Sequence, residues 1–109
     1  MYLIKEMPKQ ERPRERFVKF GPSSLSTHEL LAIILRTGSK NESVIDLSKH
    51  LLYKYHSLKE LSTIQTNELM KMKGIGTSKA IELQSVFEIA KRVNSEQFKE
   101  GVFLKSPES

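Results

Sequence analysis

The sequence predicts an all-α fold, a compact bundle of about five or six helices, and three observations carry that expectation. Apolar residues recur at three- and four-residue spacing through most of the 109 residues, which is the period of a half-buried helix. Ser or Thr stands repeatedly just before such a run, twice with Glu three residues later, the pattern of a capping box. No stretch shows the period-two alternation of a strand, so nothing demands a sheet. With 38% hydrophobic residues the chain suits one modest core rather than a disordered polymer.

The predicted organisation is a polar arm over residues 1–11, a helical domain over 12–94 and a linker over 95–109. Pro8 and Pro13 punctuate the opening, which leads into a short helix that Phe17, Val18 and Phe20 are expected to dock. Gly21-Pro22-Ser23-Ser24 breaks the chain. Ser26 with Glu29 then forms a capping box inside a hydrophobic staple of Leu25 with Leu30. That helix should run to about Arg36, carry Leu30, Leu31, Ile34 and Leu35 inward, and end at Thr37-Gly38. After a loop of Ser39, Lys40 and Asn41, the residues Val44, Leu47, Leu51 and Tyr55 predict an amphipathic helix from Ser43 to about Lys54. Ser57 and Glu60 begin a short turn through Leu61, and Thr66 is expected to cap a helix leading to Gly74. The last helix should run from Ser78 to about Asn94, with Ala80, Leu83, Phe87 and Ala90 inward and Glu88 paired with Arg92 outside. Beyond it, Phe98, Val102, Phe103 and Leu104 sit among lysines and read as a linker toward a further domain. Residues 31–52 and 69–90 partly echo each other as helix, Gly-containing turn, helix. A degenerate tandem pair and ordinary helix packing both account for that echo.

The segment Gly74-Ile75-Gly76 is the most informative part of the chain. Glycine reaches positive φ at little steric cost and admits close approach of another backbone or a ligand. A helix opening at Thr77 or Ser78 directs its unpaired first-turn amides and the positive end of its dipole at the same point. Lys73 and Lys79 flank it with positive charge, and Ile75 should plug the gap between the flanking helices, lined by Leu69, Ala80 and Leu83. The candidate anion-holding set is therefore Lys73, Gly74, Ile75, Gly76, Thr77, Ser78 and Lys79. The plain alternative is a tight connector between packed helices, since glycine commonly follows a helix. Arg12, Arg14, Arg16, Arg36 and Lys40 are auxiliary basic candidates. Glu11 and Glu15 interleave with the arginines and offer intramolecular pairing, and Arg36 at a helix C-terminus already suits the dipole.

The formal charge of +5 fits a polyanion partner without requiring one. Without cysteine, disulfide scaffolds and thiolate zinc sites are excluded. His28, His50 and His56 lack metal-ligand spacing, no serine sits in a nucleophile elbow, and Gly-Ile-Gly lacks the preceding strand and third glycine of a dinucleotide loop. The expectation is a domain that is not an enzyme and needs no cofactor or metal. Neither a signal-peptide core nor a membrane-length apolar run is visible, which gives a cytoplasmic reading.

The segments Arg12-Pro13-Arg14-Glu15-Arg16-Phe17, Leu25-Ser26-Thr27-His28-Glu29-Leu30-Leu31-Ala32-Ile33-Ile34-Leu35-Arg36-Thr37-Gly38 and Lys73-Gly74-Ile75-Gly76 resemble, in order, the N-terminal region of the bacterial RadC family. The resemblance covers about residues 10–109. It implies a helix-hairpin-helix domain of a DNA-repair-associated protein, placed before a JAB/MPN-type metal-dependent hydrolase-like domain. The His-x-His, serine and aspartate pattern of that second domain has no counterpart in these residues. Thr27 stands where the family often has Asp, and Asn41 and Glu42 where it often has Gly and a basic residue, so Glu42 counts against phosphate binding at the first turn. The expected function is non-sequence-specific DNA binding through the hairpin, to duplex or branched DNA, with its own C-terminal domain as a further partner and no membrane or small-molecule substrate. The rival is a protein-interaction or scaffolding domain that positions or regulates the hydrolase-like domain.

Overall fold

The computed structural model describes residues 3, 4, 7, 8 and 12–103, with side chains through residue 96. Most of the expected arm 1–11, the side chains of Phe98, Val102 and Phe103, and residues 104–109 lie outside the described residues. Among the described residues six α-helices follow one another: α1 (Pro13–Phe20), α2 (Thr27–Leu35), α3 (Val44–Tyr55), α4 (Leu58–Leu61), α5 (Thr66–Leu69) and α6 (Thr77–Phe103), with a 3-10 turn at Pro22–Ser24. The fold is all-α, and no strand occurs among the described residues.

Serine side chains start α2, α3 and α4. Ser26 accepts the Glu29 amide while the Glu29 carboxylate accepts the Ser26 amide, a complete capping box. Ser43 accepts the Asp46 amide at 3.1 Å and Ser57 the Glu60 amide at 3.1 Å. Thr66 is not a cap: Gln65 holds that position, and the Thr66 hydroxyl instead donates to Gln84 Oε1, whose Nε2 donates to the Ile64 carbonyl at 2.8 Å. Gln84 thereby ties α6 to the approach of α5, a link that a glutamine on a helix surface does not announce.

α2 lies at the centre, against α1, α3 and α6, while α5 packs on α6. Leu35, Leu47, Leu51, Leu61, Leu69 and Leu83 are fully enclosed, and Ala32, Ile75 and Ala80 fill the spaces between them. Burying each leucine contributes about 1.5–3 kcal/mol. Two expectations fail at the periphery. Phe17, Val18 and Phe20 do not dock α1, because all three face solvent, Val18 at 87% exposure. Pro13 is buried instead, and the link between α1 and α2 is polar: Arg16 grips both Glu29 oxygens at 2.6 and 2.8 Å. The other failure is at the end of α6, which passes Asn94 and continues to Phe103. Its inward stripe fades along the way, with Leu83 enclosed, Phe87 half-buried and Ala90 exposed.

α2 and α3 end within a residue of the expected Arg36 and Lys54, although Arg36 rather than Thr37-Gly38 caps α2, and His56 caps α3; both residues take positive φ, 68° and 73°. Gly38 serves close approach: a Cβ there would lie 2.0 Å from the Glu42 carbonyl oxygen, where Ser39 and Glu42 exchange backbone hydrogen bonds of 2.9 and 3.3 Å. No helix among the described residues is long and apolar enough to cross a membrane.

Candidate nucleic-acid interface

The segment between α5 and α6 is built from a one-turn helix, a tight reversal and the start of the longest helix in the fold. Gly74 takes φ +95°, a conformation that costs an L-residue with a side chain roughly 1–2 kcal/mol, and it lies against the α2–α3 turn. A Cβ on Gly74 would meet Leu47 at 3.2 Å and Ser39 at 3.4 Å. The two glycine-containing turns of the sequence are thus neighbours in space. Ile75 is buried in the core beside Leu69, Ala80 and Leu83 as expected, but its amide donates to the Met72 carbonyl at 3.0 Å. That bond removes Ile75 from the candidate anion-holding set and leaves it as the plug.

Gly76 is different from Gly74. Its φ is not positive and nothing lies within 4 Å of where its Cβ would be, so neither conformation nor packing requires glycine there. The first amide of α6 with a helical acceptor is that of Ala80, bonded to the Gly76 carbonyl at 3.0 Å. The amides of Gly76, Thr77 and Ser78 therefore point out of the helix start, at residues that are all exposed. The first turn of α6 carries no acidic residue, and the exposed Lys73 enters no ion pair among the described residues. The dipole favours an approaching anion there, while Lys73 lines a cavity shared with Ser39, Glu42 and Asp46 of the neighbouring turn and α3.

The start of α3 provides the contrast. Asp46 sits in its first turn and takes the Ser43 cap, while Glu42 pairs with His50 beside it. Those two acidic residues therefore stand at the positive end of α3. Lys40 is exposed on that turn.

Most of the remaining basic candidates are engaged within the fold. Lys79 does not project toward solvent beside the turn: its ammonium donates to the Thr37 carbonyl, with Gly38 O at 3.5 Å. Burial, reinforced by the nearby Arg36 charge and opposed by Glu82, lowers its pKa below the ordinary lysine value. Arg36 pairs with Glu82 at 2.8 Å. Arg12 donates to the Met7 carbonyl at 3.2 Å, Arg14 to Ile33 O at 3.4 Å, and Arg16 is committed to Glu29. These are intramolecular partners, although Glu29 rather than Glu15 takes Arg16. Among the described residues no cluster of three or more His, Asp or Glu could hold a metal ion.

Fold and turn together define a small all-α domain that presents the open N-terminus of a long helix beside a second turn. The chain belongs to the UPF0758 N-terminal family, whose pattern matches residues 4–81. A UPF0758 protein of Bacillus pumilus is 42% identical over 97% of this chain and 47% of its own length. The UPF0758 protein YsxA of Bacillus subtilis is 43% identical over 96% of this chain and 46% of its own. A UPF0758 protein of Methanosarcina mazei is 48% identical over 84% of this chain and 40% of its own. The chain spans about half the length of the first two relatives and less of the third. No solved structure matches it.

Proposed function

We propose that the chain is a non-sequence-specific DNA-binding module of a RadC-like, DNA-repair-associated protein, and that the α5–turn–α6 unit is a helix-hairpin-helix that holds the phosphate backbone. The observation that carries this reading is the open start of α6. Three exposed residues, Gly76, Thr77 and Ser78, offer amides with no helical acceptor, no acidic side chain shares that first turn, and Lys73 precedes it in the same turn of chain. Contacts of this kind position a protein on nucleic acid and read no sequence. With Lys79 and Arg36 engaged internally, the charge available at the turn is smaller than the sequence count implies, so the affinity to expect is toward the weak end of non-specific binding, about 10⁻⁴ M.

The test combines salt with one substitution. Titration of labelled duplex and single-stranded DNA at two salt concentrations should show affinity falling as salt rises. Gly76→Ser adds a hydroxyl that caps the same amides a phosphate would use, as Ser26 and Ser43 do on their own helices. It should keep or slightly raise thermal stability, by up to about 0.5 kcal/mol, while weakening DNA binding several-fold. Binding by the folded variant equal to wild type, or no binding by wild type at low salt, defeats the reading.

One observation favours a second reading, a protein-interaction module. On α6, Val86, Ile89 and Val93 follow i, i+3, i+7 spacing and are 38%, 62% and 47% exposed, an apolar strip with nothing packed on it among the described residues. The half of the relatives' length outside this chain is the partner this reading implies. In a full-length protein, Ile89→Lys should then loosen the association of the two halves in limited proteolysis and leave DNA affinity unchanged.

A further inference from the structure

Among the contacts between the two turns, one residue makes the longest reach. Lys79, on the first turn of α6, reaches across 42 positions of sequence to the carbonyl of Thr37 and lies 3.5 Å from that of Gly38. These carbonyls follow the end of α2, where Arg36 takes φ 68° and the chain leaves the helix with acceptors still to satisfy. One turn further along α6, Glu82 holds the Arg36 guanidinium at 2.8 Å. From the other side, Gly74 approaches Ser39 and Leu47 too closely to carry a larger side chain without movement. Two polar contacts therefore fasten residues 36–38 to the start of α6, and the close approach of Gly74 sets the α5–α6 turn against Ser39.

We propose that Lys79 is a positioning residue: its ammonium locks the α2–α3 turn onto the first turn of α6, so that the two turns move as one unit, and it makes no phosphate contact itself. The proposal rests on the backbone-holding reading for its functional consequence and on geometry alone for the lock. The lock replaces a lysine that sequence places in the anion site with one that shapes the site from behind. It leaves Lys73 as the charge that meets the ligand, and it fixes where the exposed Lys40 of the neighbouring turn stands relative to the amides of α6.

Three variants separate these roles: Lys79→Met keeps the aliphatic stem and removes the charge, Lys79→Arg keeps a donor, and Lys73→Met serves as the comparison. In amide hydrogen exchange of the free protein, Lys79→Met should exchange at least tenfold faster over residues 37–42 while the α2 and α3 cores stay protected. Lys79→Arg should recover most of that protection, and Lys73→Met should match wild type. In DNA titrations, Lys73→Met should lower the slope of log K against log[salt] by about one. Lys79→Met should weaken binding several-fold with the slope unchanged. Equal loss of slope in the two methionine variants, or unchanged exchange in Lys79→Met, overturns the proposal.

Should Lys79→Met not fold, the wild-type protein decides the matter through its lysine side-chain nitrogen resonances. Lys79 should stay fixed on adding duplex DNA while Lys73 shifts, and a shift confined to Lys79 overturns the proposal. If wild type binds no DNA, the backbone-holding reading is lost and exchange over residues 37–42 still judges the lock.

Discussion

Arg16 and Glu29 show how a single pair reorganises the meaning of a charged segment. The Arg-Pro-Arg-Glu-Arg run looks like a nucleic-acid patch, yet Arg16 faces a carboxylate on α2 through two hydrogen bonds and a third, longer one reaches the Ser24 carbonyl at 3.4 Å. The Arg16 guanidinium, opposed by burial and helped by the Ser26 amide and hydroxyl, holds the Glu29 carboxyl at about 2, below its ordinary 4.5. Because the folded value is depressed, the stabilisation is fully present above the unfolded value of 4.5 and disappears as pH falls toward 2. Charge-assisted pairing of this kind is worth about 2 kcal/mol. Glu29→Gln retains an acceptor for the Ser26 amide but loses the charge. Denaturant unfolding should therefore show wild type more stable at neutral pH, the two proteins converging as pH approaches 2.

At the scale of elements, most helix starts and the ends of α2 and α3 were legible, whereas the residues that close those ends were not. A cap is a local event, so Ser26 with Glu29 and Ser57 with Glu60 reveal two starts from sequence alone. The ends depend on where the following chain must go. Neither Arg36 nor His56 carries the glycine signature of a positive-φ cap, and at Arg36 the side chain is held by Glu82 of α6. His56 is exposed at the end of α3 with φ 73° and ψ −29°, which a residue with a Cβ adopts at a cost. His56→Gly should relieve it and raise stability by about 1 kcal/mol, visible as a higher midpoint in thermal unfolding. A lower midpoint would mean the imidazole contributes more than its backbone costs. The failure at Phe17, Val18 and Phe20 has a related cause: the periodicity of eight residues is too short to say which face a helix buries when polar pairs set its orientation.

For the whole molecule, the candidate site was half legible. Glycine, first-turn amides and Lys73 lie where the sequence placed them, whereas Lys79 and Arg36 turn inward to partners in distant segments that no local pattern names. The enclosed residues form one cluster that includes Leu47 of α3, Leu69 of α5 and Leu83 of α6, so both turns rest on the same core. Leu83→Ala should cost about 3 kcal/mol. Exchange protection at both turns should fall by the same factor, because they lose one shared support. Loss at the α5–α6 turn with the α2–α3 turn unaffected would instead divide the core in two.

α6 spans 27 residues, which at 1.5 Å each is about 40 Å of continuous helix, and the core embraces only its first turns. The rest continues as one unbroken helix, whose geometry fixes a distance and a phase. Anything carried at its far end is held at a set distance from Gly76 and a set bearing about the axis. Each residue inserted in the exposed stretch would lengthen the span by about 1.5 Å and turn that bearing by about 100°, while every contact around the two turns stayed as it is. Spacing along this helix is therefore a geometric variable separable from binding at its start, open to change by the insertion or deletion of single residues.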